Sequence, residues 1–258
     1  MIFTGLNAVA NENQLENILK GPQRSDAHKA RDVFRHPVKT LEFFDVQPAM
    51  KVVEIWPGGG WYTEILAPLL KDNGQYVAAQ FNPDLGVAFY TNMRKKFEEK
   101  MAADKSHYGK VSITTFDPKT DIAITKAGTA DRVFTFRNVH NWTRGGDKVV
   151  FNAFKTFYKA LKKGGILGVV EHRLPEKADN SMQGKSGYMK QSYVIEMAQK
   201  AGFKFVASSE INANPKDNAN HPKGVWTLPP MLRMGDKDKA KYQAIGESDR
   251  MTLKFVKP

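Results

Sequence analysis

The sequence predicts a doubly wound α/β fold: a mostly parallel, seven-stranded sheet with an antiparallel C-terminal strand and an N-terminal helical extension. Short, nearly continuous apolar runs alternate with amphipathic stretches, the pattern of parallel strands covered on both faces by helices. The first such run ends directly in three consecutive glycines, Gly58-Gly59-Gly60. The last, Arg250 to Val256, instead alternates as Met251, Leu253, Phe255, which marks an antiparallel strand at the close of the sheet.

The N-terminal extension, 11–50, contains three helical stretches. Asn11 to Lys20 has Leu15, Ile18 and Leu19 at helical spacing and stops at Gly21-Pro22. Ser25-Asp26-Ala27-His28 opens a helix to about Phe34, which His36-Pro37 interrupts, and Val38 to Phe44 resumes it. The β-branched run Lys51 to Ile55 is a buried strand, and Tyr62 to Leu70 is the helix behind the glycines. Gln75 to Phe81 is a strand, Leu85 to Lys100 a long helix, and Val111 to Phe116 and Ala130 to Phe136 are strands. Val149 to Leu161 is a helix, Ile166 to Val170 a strand, Ser192 to Lys200 a helix and Phe203 to Ile211 a strand. Asn212 to Pro230 is rich in Asn, Pro and Lys and reads as a long loop, the start of an insertion (212–250) able to act as a lid.

At 258 residues, with about 150 residues per domain as a guide, the chain is one large domain or two small ones. No linker divides it, so 51–258 is read as one domain carrying the extension. The composition, 41% hydrophobic and 26% charged, excludes wholesale disorder, collagen and coiled coil. The absence of cysteine excludes a disulfide scaffold, thiolate metal sites and a cysteine nucleophile. No apolar run reaches the roughly 18 residues of a membrane span. The net charge of +12 favours encounters with polyanions, yet the densest stretch, Arg94 to Lys100, is interleaved with acids and reads as a solvated helix face. At the N-terminus, Ala8-Val9-Ala10 fits the small-x-small pattern of a signal-peptidase site, although no Lys or Arg precedes it. The tail 1–10 is therefore either loosely ordered or a signal-peptide remnant.

A strand, a bare glycine turn and a helix place backbone N–H groups at the carboxyl edge of a parallel sheet, where anionic or polar ligands bind. A nucleoside triphosphate needs a Lys-Ser/Thr pair closing the loop, and none is present. A dinucleotide needs a further glycine where Thr63 stands. S-adenosylmethionine remains, as does a tight turn without a ligand.

The segment Val52-Val-Glu-Ile-Trp-Pro-Gly-Gly-Gly-Trp-Tyr-Thr63 resembles the first motif of class I S-adenosylmethionine-dependent methyltransferases. The order of elements from Val52 to about Ile211 is similar to that family's Rossmann-like domain, including Leu161-Lys-Lys-Gly-Gly165 and Ala201-Gly-Phe203. Arg31 to Pro37, Trp226 to Pro230 and Gly246 to Arg250 also resemble a bacterial subgroup whose members often carry signal peptides. That subgroup implies export to the periplasm; without it the protein is expected in the cytoplasm.

The resemblance implies S-adenosyl-L-methionine as cofactor. It makes Glu54 the acid that orients the glycine loop and the ligand's amino group. Gly58, Gly59 and Gly60 become the loop of close approach, Asp117 a partner for the adenine amino group, and Gln80 and Asn138 further cofactor contacts. Trp56 stands where many relatives have the first glycine, and Gln80 where they have the acid that accepts from ribose.

For the chemistry, His140 and His172 are candidate bases at the carboxyl edge, His140 also readable as a cap of the following helix. Arg173 is a candidate anion clamp, Tyr62 lies on the substrate side and Trp226 belongs to the lid. Arg31, Arg35 and His36 either cover the cofactor or form a solvated helix face. His140, Glu171, His172 and Asp117 lack H-x-x-x-H or H-x-H spacing, so no metal site is expected. Three functions are open: methyl transfer to a small-molecule or exported acceptor, methyl transfer to RNA, and a non-catalytic binding protein on the same fold.

Overall fold

The computed structural model describes residues 13–258; the expectations for 1–10 lie outside the described residues. The extension begins with α1 (13–20) and continues through α2 (Asp26–Lys29), α3 (Asp32–Arg35) and α4 (Pro37–Phe43). The single helix expected from Ser25 to Phe34 is thus two short ones. Ser25 caps α2 by accepting from the His28 N–H, and left-handed His36 separates α3 from α4. Pro37 opens α4, where its missing N–H costs nothing.

The sheet opens with β1 (Lys51–Ile55), α5 (Thr63–Leu70), β2 (Gln75–Phe81), α6 (Ala88–Ala103), α7 (Lys105–Tyr108) and β3 (Ser112–Phe116). There follow β4 (Ala130–Phe136), α8 (Val139–Trp142), α9 (Asp147–Ala160) and β5 (Leu161–Leu174). The chain closes through β6 (Met189–Lys190), α10 (Gln191–Lys200), β7 (Lys204–Ser209), α11 (Lys239–Ile245) and β8 (Arg250–Val256). The strand order is β3-β2-β1-β4-β5-β8-β7, with the two-residue β6 beside β5 as an eighth strand. Strands β1 to β5 run parallel to one another in the main sheet, and β8 runs antiparallel to both β5 and β7, as its alternating sequence predicts.

Successive strand residues face opposite sides, so each strand feeds two cores. Val53, Val133 and Leu167 join Phe154 and Phe157 of α9 and Val194 of α10 on one face. Val52, Ala78 and Phe134 join Leu41 of α4, Ile65 of α5 and Phe97 of α6 on the other. The basic run on α6 is paired as its spacing predicts: Arg94 Nε meets Glu98 at 2.8 Å and Lys95 meets Glu99 at 3.8 Å. The chain runs outward from β1 to β3 and then returns to β4 on the other side of β1. That reversal opens a crevice at the carboxyl ends of β1 and β4.

Candidate functional site

A cavity of about 680 Å³ occupies that crevice. Its floor comes from the segments after β1 and β4, which contribute Trp56 to Gly59 and Phe136 to Asn138. Arg31 and Arg35 enter from the extension, Tyr90 and Met93 from α6, and Ser248 and Arg250 from the start of β8. Trp226 and Leu228 line it from the 212–250 segment. The segment expected to be a loop has one short helical turn, Gly224–Thr227, which seats Trp226 edge-on to His140 with ring centroids 6.1 Å apart.

The glycine turn divides by role. A Cβ on Gly58 would meet only Met93 Cε at 3.9 Å, and one on Gly59 would meet nothing within 4 Å, so both leave bare backbone at the cavity. Gly60 does not line it. With φ at +83° and Phe97 Cε2 3.2 Å from where a Cβ would stand, Gly60 serves the turn and its packing rather than ligand approach.

Trp56 also sits in the left-handed region, at φ 45°, which explains why a glycine would suit the position. An L-residue there costs about 1–2 kcal/mol. The offset is visible: the Trp56 N–H donates to the Ala79 carbonyl at 2.8 Å and its indole N–H to the Phe116 carbonyl at 3.0 Å. The ring also packs on Phe81, Tyr90, Phe116 and Trp142.

Glu54 lines the cavity although almost fully buried. Burial lifts its carboxyl to about 7, against the Tyr76 hydroxyl, which donates to Oε2 at 2.6 Å. Asn138 lines the cavity with its amide donating to the Ile55 carbonyl at 2.9 Å, which ties β4 to β1. Tyr62 lines it with its ring stacked on Phe136.

Gln80, Asp117 and Arg173 lie away from the cavity. The Gln80 amide donates to the Gly58 carbonyl at 3.2 Å and its own oxygen accepts from the Phe81 N–H, so it braces the glycine turn. Asp117 is turned into its own loop, accepting from the Lys119 N–H at 2.9 Å and from Asn82 at 3.5 Å. Arg173 is held in a double pair by Glu210 and Asp249, all at 2.7 to 2.9 Å, with no fork left for a ligand. Each of these three groups is satisfied by near neighbours in the fold.

His140 and His172 do come together, with ring centroids 5.5 Å apart. Glu171, fully buried, accepts from His140 Nδ1 at 3.0 Å, from the His140 N–H at 3.3 Å and from the His172 N–H at 2.8 Å. A carboxylate only accepts, so His140 Nδ1 carries the proton and Nε2 is left as the basic nitrogen. His172 Nδ1 lies 2.6 Å from Ser248 Oγ. Burial, with His140 and Arg250 adding to it, holds His172 well below the usual histidine range, so this imidazole is neutral.

Among the described residues, His140, Glu171 and His172 form a group whose donor atoms lie within 4.8 Å of one another, a geometry that could hold a metal ion. Asp117, the fourth member considered from the sequence, is not among them. The Glu171 oxygens are already engaged by three donors, and the guanidinia that depress His172 oppose a dication.

Among the contributors that sequence reasoning missed are Arg137, Arg250, Glu247 and Ser248. Glu247 is 2% exposed and meets Arg31 Nε at 2.5 Å, Arg35 Nε at 3.4 Å and Arg250 Nη2. Burial raises its carboxyl, but Arg250, Arg35 and Arg31 win and hold it far below the ordinary range. The signal was the polar string Gly246-Glu-Ser-Asp-Arg250 immediately before an apolar strand.

No protein-family model and no curated protein matches the sequence. Solved structures do. A SAM-dependent methyltransferase from Aquifex aeolicus superposes with a TM-score of 0.59 at 13% identity, over 96% of this chain and 98% of that one. The [4+2]-cyclase SpnF superposes with a TM-score of 0.62 at 14% identity, over 98% and 95%. The strand order, the glycine turn after β1 and the cavity at the β1–β4 switch agree with these likenesses: the chain has the fold of the class I S-adenosylmethionine-dependent methyltransferases.

Proposed function

We propose that the protein is a methyltransferase that uses S-adenosylmethionine and passes the methyl group to a small-molecule acceptor. The observation that carries this reading is the bare backbone of Gly58 and Gly59 lining one cavity together with Glu54 and the Glu171-held His140. The fold alone is not sufficient support, since a cyclase shares it.

The cofactor's amino-acid end suits the residues present. Glu54 is an acceptor for its ammonium, and the glycine backbone leaves room for close approach. The nucleoside end has a different seat from the one the sequence suggests, because Gln80 and Asp117 are engaged elsewhere and Trp56 fills the space between Phe81, Phe116 and Trp142. The surface available to it is the wall of Trp56, Phe89, Tyr90 and Met93.

When bound, the cofactor supplies an electrophilic methyl group on a sulfonium. The chain's part is to position the acceptor, accept its proton at His140 Nε2 while Glu171 stabilises the imidazolium, and keep water out with Trp226 and Leu228. His172, neutral and 5.5 Å away ring to ring, leaves His140 free of a second positive imidazole.

Calorimetric titration of S-adenosylmethionine into wild type and Gly58→Asn tests the reading. Asn tolerates the left-handed backbone at φ +58°, so the variant folds while its side chain stands beside Met93 in the cavity. Affinity should fall at least tenfold; equal affinity in a folded variant would refute the assignment.

A further inference from the structure

We propose that the cavity contains a binding site for an oxyanion, a carboxylate or phosphate group of the acceptor, built by Arg137 with Arg35 and Arg250. The acceptor's identity as such rests on the methyl-transfer reading; the anion site itself rests on the charges.

Six arginines line the cavity and a single carboxylate, Glu54, faces them. The two exposed arginines, Arg144 and Arg233, stand in solvent, but Arg35 and Arg250 are buried and Arg31 and Arg137 largely so. Around these four guanidinia the paired carboxylate is that of Glu247. Arg31, Arg35 and Arg250 each contact it, and Arg137 does not. Its side chain makes no hydrogen bond or ion pair among the described residues. Two further donors nearby, Arg35 Nη1 and Arg250 Nε, are buried without a partner.

Such an arrangement is costly in the free protein. Buried charges are normally paired, and guanidinium does not escape by losing its proton at neutral pH. Burial and the neighbouring Arg250 do lower Arg137, but only to about 10. Arg137 is also held at φ 63°, a backbone state that non-glycine residues seldom adopt. Strain together with a largely buried charge that Glu247 and Glu54 feel only at a distance, with no direct partner at the end of β4, is what a group kept for a ligand looks like. A planar guanidinium without a direct side-chain partner matches a carboxylate or phosphate two bonds at a time. The cofactor adds to the argument: its carboxylate, ammonium and sulfonium sum to one positive charge, so its binding leaves the cavity more positive still. A long RNA is the weaker occupant, because only Arg144 and Arg233 of these arginines stand exposed, whereas a backbone track needs an exposed stripe.

The test is calorimetry on the full chain at constant ionic strength, with malonate, inorganic phosphate and neutral malonamide as probes. Malonate or phosphate should bind saturably and malonamide should not. Arg137→Gln should weaken the anion at least tenfold. Arg137→Lys, which keeps charge but not the fork, should weaken it less. If Arg137→Gln does not fold, the lysine variant and the malonate–malonamide comparison still decide. Anion binding no better than malonamide, or unchanged in a folded Arg137→Gln, overturns the proposal. The titration is then repeated with saturating S-adenosylhomocysteine. Undiminished anion binding supports a separate acceptor site, and mutual exclusion overturns it by assigning the arginines to the cofactor's own carboxylate. Binding of a labelled oligoribonucleotide that is lost in Arg137→Gln while malonate does not bind would also overturn it, in favour of a polyanion. Failure of S-adenosylhomocysteine to bind, with malonate still bound, would refute the methyl-transfer reading and leave the anion site standing.

Discussion

Replacing Glu247 by Gln removes the carboxylate that, among the described residues, pairs with Arg31, Arg35 and Arg250, while keeping the side chain's shape. Its Oε1 accepts from Arg31 Nε at 2.5 Å, and its Oε2 faces Arg35 Nε at 3.4 Å and Arg250 Nη2. Glu247, Arg35 and Arg250 are all almost fully buried, so solvent screens them little. Breaking a buried ion pair from one side costs about 3–5 kcal/mol. Glutamine still accepts one hydrogen bond, which places the expected loss near the lower end, about 3 kcal/mol. At roughly 2–4 °C per kcal/mol for a chain of this size, Tm should fall by about 6–12 °C. Scanning calorimetry at pH 7 and urea unfolding measure it directly. The folded pKa of Glu247 is depressed, so its contribution is complete above the unfolded glutamate value of about 4.3 and is lost as pH falls through the lower folded value. Wild type and variant should therefore differ by a constant amount at neutral pH and converge only in strong acid. A loss under about 1 kcal/mol, or convergence already at pH 6, would refute the claim that one carboxylate holds these arginines together.

Trp226→Ala should lower Tm only slightly, because the ring is partly buried at the edge of the small cluster around Tyr188, and it should weaken ligand binding several-fold by opening the cavity. A large loss of stability with affinity intact, read by calorimetry and melting, would show that Trp226 only packs. Gly60→Val should fail to fold or melt far lower, since φ is +83° and Phe97 and Thr63 crowd the new Cβ; a well-folded variant with selectively lost cofactor binding would return Gly60 to the ligand surface. Glu54, lifted to about 7 by burial, binds more protons folded than unfolded, so its contribution to stability declines as pH rises from about 4.3 to 7. A cationic ammonium seated on it should expel that proton, so binding enthalpies at pH 7 should differ between phosphate and Tris buffers; identical enthalpies would exclude this seat.

The fold was legible where apolar runs are bounded by turn residues. The bounds expected for β1, β2, β4 and β8 coincide with the observed ones, because Gly, Pro and Asn punctuate those runs. Helix α11 was missed because Lys239 to Ile245 follows a charged string and buries only Tyr242, too little for a periodic signal. The extension's helix was read as one piece because its spacing continues across Ala30-Arg31, where the backbone breaks. In the site, Glu54, Gly58, Gly59, Tyr62, Asn138, His140, His172 and Trp226 all face one cavity. Gly60, Gln80, Asp117 and Arg173 do not, because the glycine has a packing role and the other three find polar partners that sequence position does not reveal. The arginine cluster was illegible for a topological reason. Arg35, Arg137 and Arg250 meet only because the extension, the end of β4 and the start of β8 converge at one edge of the sheet.

Equilibrium dialysis of purified full-length protein against methyl-labelled S-adenosylmethionine tests the central claim most directly. The account predicts one saturable site per chain, displaced by S-adenosylhomocysteine and weakened at least tenfold in Gly58→Asn. No saturable binding up to about 1 mM, or binding that Gly58→Asn leaves intact, would contradict it.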